Sequence, residues 1–399
     1  MITGNGVIGQ SGGPTSVINS SLAGVVEASI NSAQIKDIYG MQYGIEGLME
    51  DLLINLGAQP EGILRGLRRT PSSVLGSCRY KLKEADLPKV LEVLRRNNIR
   101  YFFLIGGNDT MDTINRVEQY CREEKYDLVG VGIPKTVDND LFGTDHTPGF
   151  ASAARSNILN VMQAGVLARD MKRVDSYVIY QTIGRDSGWL AAATALAGVR
   201  EEEAPHLIYM PERVFDTDNF LADVEHCLEK YGWVSVVCGE GIKFSDGTPV
   251  SAALSEDKFG NFEFGAMGGA SAGMNLHRMI SDKLHLRGEF QITESLIMCA
   301  MDRAEANDLK EAYECGLKAV EMAEAGESGF MVSIERVANS PYRVRYGKAA
   351  LKEVAVRARP MPDEYINRQG NFVSDGFYKY LRPLISELPD YIELEKRDA

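Results

Sequence analysis

Two short stretches hold most of the side chains that could do chemistry. Gly130-Val-Gly-Ile-Pro-Lys135-Thr136-Val-Asp138-Asn139-Asp140-Leu141 packs a cation, a hydroxyl and two carboxylates into six residues, and Gly106-Gly107-Asn108-Asp109-Thr110 stands a little upstream. Residue types this close together suit an acceptor hydroxyl that must lose a proton beside a transferring phosphoryl group. A polar strand-to-helix turn with capping carboxylates accounts equally well for either stretch taken alone.

The elements that must position them are readable on either side. Each stretch follows an apolar run of strand length, 101–105 and 128–133, so its polar residues fall where a parallel strand ends. In α/β proteins the chemistry collects at such ends. Residues 6–10 give a first strand, and Ser11-Gly12-Gly13-Pro14-Thr15-Ser16 a turn into a helix over about 17–30. Backbone amides of a Gly-Gly turn at a helix start can hold phosphate oxygens, although a plain tight turn has the same letters. Gly4-Asn-Gly6-Val-Ile-Gly9 spells a dinucleotide fingerprint but has only three residues before it, too few for the strand that motif requires.

Further along, 37–41 reads as a short strand and 63–80 as a loop-like segment carrying Arg65, Arg68, Arg69 and Arg79. That cationic patch is either a solvated face or a source of arginines for a phosphate. A helix over 87–97, the strand at 101–105 and a helix to about 120 continue the alternation of a doubly wound sheet. After His146-Thr-Pro-Gly-Phe150 a second unit begins, with strands at 176–182, 206–210 and 233–238 and a small-residue helix over 189–197. Its strands end in Ile183-Gly184-Arg185 and Gly239-Glu240-Gly241, facing the first unit. Residues 245–275 read as loops with a hairpin among them, 294–324 as helical, and 348–388 as short helices between proline-bounded turns.

Composition narrows the class. With 399 residues, 44% apolar and 25% charged, the chain can bury more than one core and is not a disordered tract. The balance of 43 basic against 56 acidic side chains gives −13, with no basic run dense enough for nucleic acid. Six scattered cysteines form no C-x-x-C pair and read as reduced thiols. The first 26 residues are uncharged yet rich in Gly, Ser and Asn, unlike a signal peptide or a membrane span, so a cytoplasmic protein without a membrane partner is expected.

Taken together, Gln10-Ser-Gly-Gly-Pro-Thr, Leu75-Gly-Ser-Cys-Arg79-Tyr, Gly106-Gly-Asn-Asp109-Thr, Ile133-Pro-Lys-Thr-Val-Asp-Asn-Asp140, Ile183-Gly-Arg185 with Gly188-Trp189, and Gly239-Glu240-Gly241 resemble the phosphofructokinase family in order and spacing. The resemblance implies two Rossmann-like α/β domains with the site in the cleft between them. Residues 1–150 would form the donor domain, completed by about 298–345, and 151–297 the acceptor domain, completed by 346–399. It implies Asp138 as general base, Lys135, Thr136 and Arg185 around the transferring group, and a donor cradle of Gly12, Gly13, Arg79, Gly107, Asp109 and Thr110. Asp140, Ile183, Gly184, Glu240, Ser295 and Met298 would meet the acceptor, and Mg²⁺ would lean on Asn108 and Asp109.

Within that family Asp109 with Lys135 resembles the pyrophosphate-dependent members, where ATP-dependent ones have small residues. A carboxylate at 109 would repel the α-phosphate of a nucleotide, while Lys135 supplies charge to a compact donor. The implied reaction is phosphoryl transfer from pyrophosphate to fructose 6-phosphate in a homodimer or homotetramer. One departure stands out: Ser176, Glu289 and Met298 occupy positions where the family clamps the distal phosphate with arginines, and Ser295 that of a usual histidine. Three lost charge-assisted contacts, each worth roughly 1.5–3 kcal/mol, open the alternative of a sugar or polyol without that phosphate or with it placed elsewhere. An idle regulatory homologue is a separate alternative, against which Lys135, Thr136, Asp138, Asp140 and Arg185 are all retained.

Overall fold

The computed structural model describes residues 2–251, 255–256, 262–263, 271–392 and 394. In chain order the strands are β1 (Gly4–Gln10), β2 (Ile35–Met41), β3 (Leu53–Asn55), β4 (Ile99–Gly106), β5 (Val129–Pro134), β6 (Tyr177–Thr182), β7 (Leu207–Tyr209), β8 (Val234–Gly239), β9 (Ser255–Glu256), β10 (Phe262–Glu263), β11 (Gly288–Ile292), β12 (Phe330–Asn339) and β13 (Tyr342–Ala350). The helices are α1 (Ile18–Ile30), α2 (Gly44–Met49), α3 (Glu61–Leu67), α4 (Leu87–Arg96), α5 (Asn108–Glu123), α6 (Phe150–Met171), α7 (Trp189–Ala193), α8 (Thr217–Tyr231), α9 (Ala272–Leu284), α10 (Ala306–Glu324), α11 (Leu351–Val354) and α12 (Asp375–Leu381). Among the described residues no helix is long and apolar enough to cross a membrane.

Parallel strands covered on both faces read as unbroken apolar runs, and Tyr101-Phe-Phe-Leu-Ile105 is such a run. Its alternate residues point to opposite layers. Tyr101, Phe103 and Ile105 pack with Ile8 under α1 and α10, whereas Phe102 and Leu104 pack with Val7 under α4 and α5. The resulting sheet has the order β13-β12-β5-β4-β1-β2-β3. Its direction of winding reverses between β1 and β4, the crevice in which open α/β sheets bind ligands. The turns after both strands carry the glycine pairs Gly12-Gly13 and Gly106-Gly107.

A second sheet, β11-β6-β8-β7, is parallel throughout. Val178, Tyr180 and Val237 face α6, α7 and the tail, while Tyr177, Ile179, Val234 and Val236 face the layer of α8 and α9. The architecture is therefore α/β with two doubly wound units. The first sheet runs on to Ala350 in β13, and Leu351 and Val354 of α11 join its core. From Met361 to Ile385 the buried apolar residues of the tail belong to the second unit.

Several expectations need correction. The segment 63–80 opens inside α3 and becomes loop only after Leu67. The helical reading of 294–324 holds for α10, but 294–299 and 301–303 are short 3-10 turns. The strand-like hairpin of β12 and β13 is not heralded by any of the sequence motifs. Of the loops and hairpin expected over 245–275, residues 252–254, 257–261 and 264–270 lie outside the described residues, and β9 pairs with β10 antiparallel.

Helices α1 and α10 cross at two glycines. A Cβ on Gly24 would stand 2.2 Å from the Tyr313 carbonyl oxygen, and one on Gly316 would stand 2.3 Å from that of Ser21. Alanine at 24 gains helix propensity of up to about 1 kcal/mol, but forcing these backbones apart costs about 1–3 kcal/mol. Gly24→Ala should therefore lower stability by up to about 2 kcal/mol in urea unfolding. A midpoint at or above that of the parent chain would show that the helices part freely.

Candidate active site

The end of β5 builds the centre of the site. Lys135, 4% exposed, donates its ammonium to the Gly13 carbonyl oxygen at 2.8 Å, so one lysine joins the β5 end to the turn after β1. Gly12 has φ +75, and a Cβ there would lie 3.1 Å from Lys135 Nζ, so the turn must stay bare to admit the ammonium. Ser77 Oγ donates to the Gly12 carbonyl at 2.6 Å, tying in the loop that carries Arg79. Burial holds Lys135 down to about 8; Asp138 and Asp140 oppose that shift and Arg79 adds to it.

Beyond Lys135 the chain folds into a tight loop. The Thr136 hydroxyl accepts from the Asp138 amide at 3.1 Å, and it lies beside the Asp140 carboxylate, whose charged form it favours. Asn139 is left-handed, φ 55, with its carboxamide wholly buried between the Thr147 amide at 3.0 Å and the Tyr380 hydroxyl at 2.9 Å. These bonds aim Asp138 and Asp140 into the crevice on either side of Asn139.

Asp138 Oδ1 is buried and has no hydrogen-bond partner among the described residues. Burial, then Asp140 and Glu240, push its carboxyl up to about 7, against the pull of Lys135 and Arg185. Such a group changes protonation near neutral pH, as a general base must. Arg185, just past β6, sits within electrostatic reach of both Asp138 and Glu240. The two units touch directly here: Ser187 Oγ donates to the Asp138 carbonyl at 3.0 Å. Glu240 Oε1 accepts from the Gly184 amide at 3.1 Å, and burial lifts it to about 7.

A basic and acidic site of this kind at the meeting of two doubly wound units can be compared with known proteins. The sequence profile described as phosphofructokinase matches residues 5–323. The chain belongs to the phosphofructokinase family. The pyrophosphate–fructose 6-phosphate 1-phosphotransferase of Methylococcus capsulatus is 37% identical over 410 residues, covering 99% of this chain and 96% of its own length. The sulfofructose kinase of Alkalicoccus urumqiensis is 33% identical over 363 residues, covering 91% and 92%. The crystal structure of the pyrophosphate-dependent phosphofructokinase from Nitrosospira multiformis has a TM-score of 0.87 at 35% identity, over 98% of this chain and 94% of that one. By these relatives the chain is a phosphotransferase.

The positions expected from the family fall in several places. Within the cleft lie Gly12, Gly13, Lys135, Thr136, Asp138, Asp140, Arg185, Glu240 and also Met298, whose Cε would be 2.6 Å from a Cβ on Gly13. Ile183 is half-buried and Gly184 buried at the end of β6, while Ser295 is exposed on its 3-10 turn. At the start of α5, Asp109 is exposed and Gly107 caps the helix, but Thr110 is folded beneath Gly106. Asn108 directs its amide to the carbonyls of Val354 and Arg357, both at 3.0 Å. Ser176 and Glu289 stand at the opposite end of the second sheet, about 20 Å of strand away from Arg185.

Of the arginines in 63–80, only Arg79 acts on Lys135. Arg65, Arg68 and Arg69 line a separate cavity of about 990 Å³ under α1 and α10, and Arg68 lies 4.0 Å over the Tyr313 ring. Residues the motifs did not single out include Ser187 and Asp308, which accepts from the Gly149 and Ser152 amides at 2.9 and 3.0 Å and so caps α6. A carboxylate from a distant helix leaves no local capping pattern to read.

Because burial raises Asp138, its folded-state pKa lies above the unfolded value of about 3.9. Its contribution to stability is then present in full below about 4 and is lost as pH rises through about 7. Asp138→Asn, which cannot ionise, should melt above the parent chain at pH 8, with the gap closing toward pH 5. A gap that widens on acidification would mean that the carboxylate is stabilised by its surroundings.

Proposed function

We propose that the chain moves a phosphoryl group from pyrophosphate to a sugar hydroxyl, with Asp138 as general base. The observation that carries this reading is the unpartnered, buried Oδ1 of Asp138, flanked by Lys135 and facing Arg185 across the two units. Its free acceptor lone pairs suit the proton of an incoming hydroxyl, and its raised pKa leaves it able to take that proton at neutral pH. Lys135 rests on the Gly13 carbonyl, where an arriving anion would restore the full charge that burial weakens. Arg185 and Thr136 supply donors to a group whose charge spreads over its equatorial oxygens.

Mg²⁺ fits this donor set. Magnesium is generally held by one or two carboxylates, water and substrate phosphates. Asp109 at the mouth and Asp140 in the loop provide oxygen ligands, and among the described residues no cluster of three or more His, Cys, Asp or Glu side chains forms a closed cage. The ion would neutralise charge on the pyrophosphate oxygens. Asn108, with its amide turned to backbone carbonyls, contributes less than its place in the sequence suggests.

Two observations bear on the substrates. An exposed Asp109 at the first turn of α5 adds negative charge where a nucleotide would lay its α-phosphate, which favours the smaller donor. For the acceptor, fructose 6-phosphate is favoured by the similarity to the Methylococcus capsulatus enzyme. A second reading rests on Met298: a thioether packed on Gly13 brings no charge to a distal phosphate, so an acceptor with another group there, or none, fits the same site. Ser176 and Glu289 lie too far from Arg185 in one chain to bear on the acceptor except from a neighbouring copy.

Purified protein with Mg²⁺ should be given pyrophosphate or ATP against sugars, sugar phosphates and a sugar sulfonate, with products identified by mass. Turnover with pyrophosphate is expected, and turnover with ATP alone would defeat the donor assignment. Product from fructose 6-phosphate supports the first acceptor; its failure beside success with another sugar supports the second. Replacing Asp109 and Lys135 together by glycine should loosen the rejection of ATP, and an unchanged donor preference would count against the charge and size argument.

A further inference from the structure

Residues 358–361 of the tail form a strap between the two units. Ala358 bridges to Leu141, and the Arg359 amide donates to the Asp140 carbonyl at 2.7 Å. On the other side, Trp189 Nε1 donates to the Arg359 carbonyl at 3.2 Å. The Met361 amide and the Gly188 amide share Glu212 Oε1, at 2.9 and 2.8 Å. The strap therefore touches both the loop of Asp138 and Asp140 and the loop that carries Arg185.

Arg359 is the residue through which it does so. The loop from Asp138 to Asp145 turns so sharply at left-handed Asn139 that three carbonyl oxygens converge on one spot. The guanidinium fills that spot: Nε and Nη2 donate to the Asn139 carbonyl at 3.2 and 2.8 Å, and Nη1 donates to those of Thr144, at 2.8 Å, and Asp145. A planar fork with five donors spreads four bonds over the three carbonyls from separate nitrogens, whereas an ammonium would offer its donors from a single one. The plane also lies 4.6 Å over the Trp189 ring, which fixes it against the second unit.

We propose that Arg359 is a positioning residue for phosphoryl transfer, gathering the carbonyls of the catalytic loop so that Asp138 and Asp140 keep their placement against Arg185. The inference rests on Asp138 acting at the reacting hydroxyl. Its consequence is that a tail residue more than 200 positions downstream of the catalytic loop sets the loop's geometry. Burial raises Asp140, and the Arg359 charge partly offsets this, so the same side chain bears on the loop's electrostatics as well.

The test compares Arg359→Gln and Arg359→Lys with the parent chain, using whichever donor and acceptor the parent turns over. A parent that uses ATP would end the pyrophosphate reading while leaving this comparison intact. For Arg359→Gln, kcat should fall about 100-fold with KM within about threefold, since a displaced loop damages the transition state more than ground-state binding. Melting should drop by less than about 5 °C. Amide exchange should quicken over 138–147 and not elsewhere. Arg359→Lys, which keeps charge and stem, should recover at most about a tenth of the parent kcat, and it reads the same quantity if the glutamine variant does not fold. A kcat within about threefold of the parent for Arg359→Gln, a rise in KM alone, or full recovery by lysine would overturn the proposal.

Discussion

The structure depends on keeping several charged groups out of water in one crevice without letting them cancel. Lys135, Asp138, Asp140, Glu240 and Arg185 act on one another electrostatically at the meeting of the two units. Burial weakens the lysine's charge and favours protons on the carboxyls, so Lys135, Asp138 and Glu240 stand near the pH where each can exchange one. Two sheets with parallel central strands make this possible because their strand ends bring polar turns together while their cores remain apolar. Neither unit alone supplies the set, since Lys135, Asp138 and Asp140 follow β5 whereas Arg185 and Glu240 follow β6 and β8.

Rigidity comes from bonds to backbone more than from ion pairs. The loop after β5 is held by Thr136, Asn139, Thr147 and Tyr380, none of them charged. Asp308 caps α6 from a distant helix at the price of its own burial, which raises it to about 6. Beside the loop, His146 lies between Asp145 and Glu311, each at 2.7 Å. Burial works against its charge, yet the two carboxylates prevail and hold it up to about 9. The loop after β5 is thus braced by uncharged hydrogen-bonding groups and by a His146 that stays charged at neutral pH.

Much of this was legible in the sequence because strand ends announce themselves locally. The run at 101–105 and its glycine pair, the Pro134-Lys135-Thr136 turn and the Gly184-Arg185 turn each pair an apolar stretch with small polar residues, and the structure builds strand ends at all of them. The dinucleotide-like glycines at 4, 6 and 9 lie within β1 and not in a turn that follows a strand. What stayed hidden acts at a distance. Arg359 stands between an alanine and a proline, two residues after Arg357, with no motif around it to set it apart, and only the folded chain shows what its fork touches. The three arginines near 65–69 looked available to a phosphate because sequence gives density of charge and not direction; α3 and the turn after it direct them toward another cavity.

The most direct measurement is single-turnover transfer by Asp138→Ala together with calorimetric binding of pyrophosphate and Mg²⁺ to the same variant. If Asp138 takes the hydroxyl proton, transfer should fall by about 10²–10⁴-fold, while donor binding stays within a few-fold, because Lys135 and the Gly12-Gly13 turn are untouched. Transfer at more than a tenth of the parent rate, or a loss explained by weakened donor binding, would contradict the role given to this carboxylate.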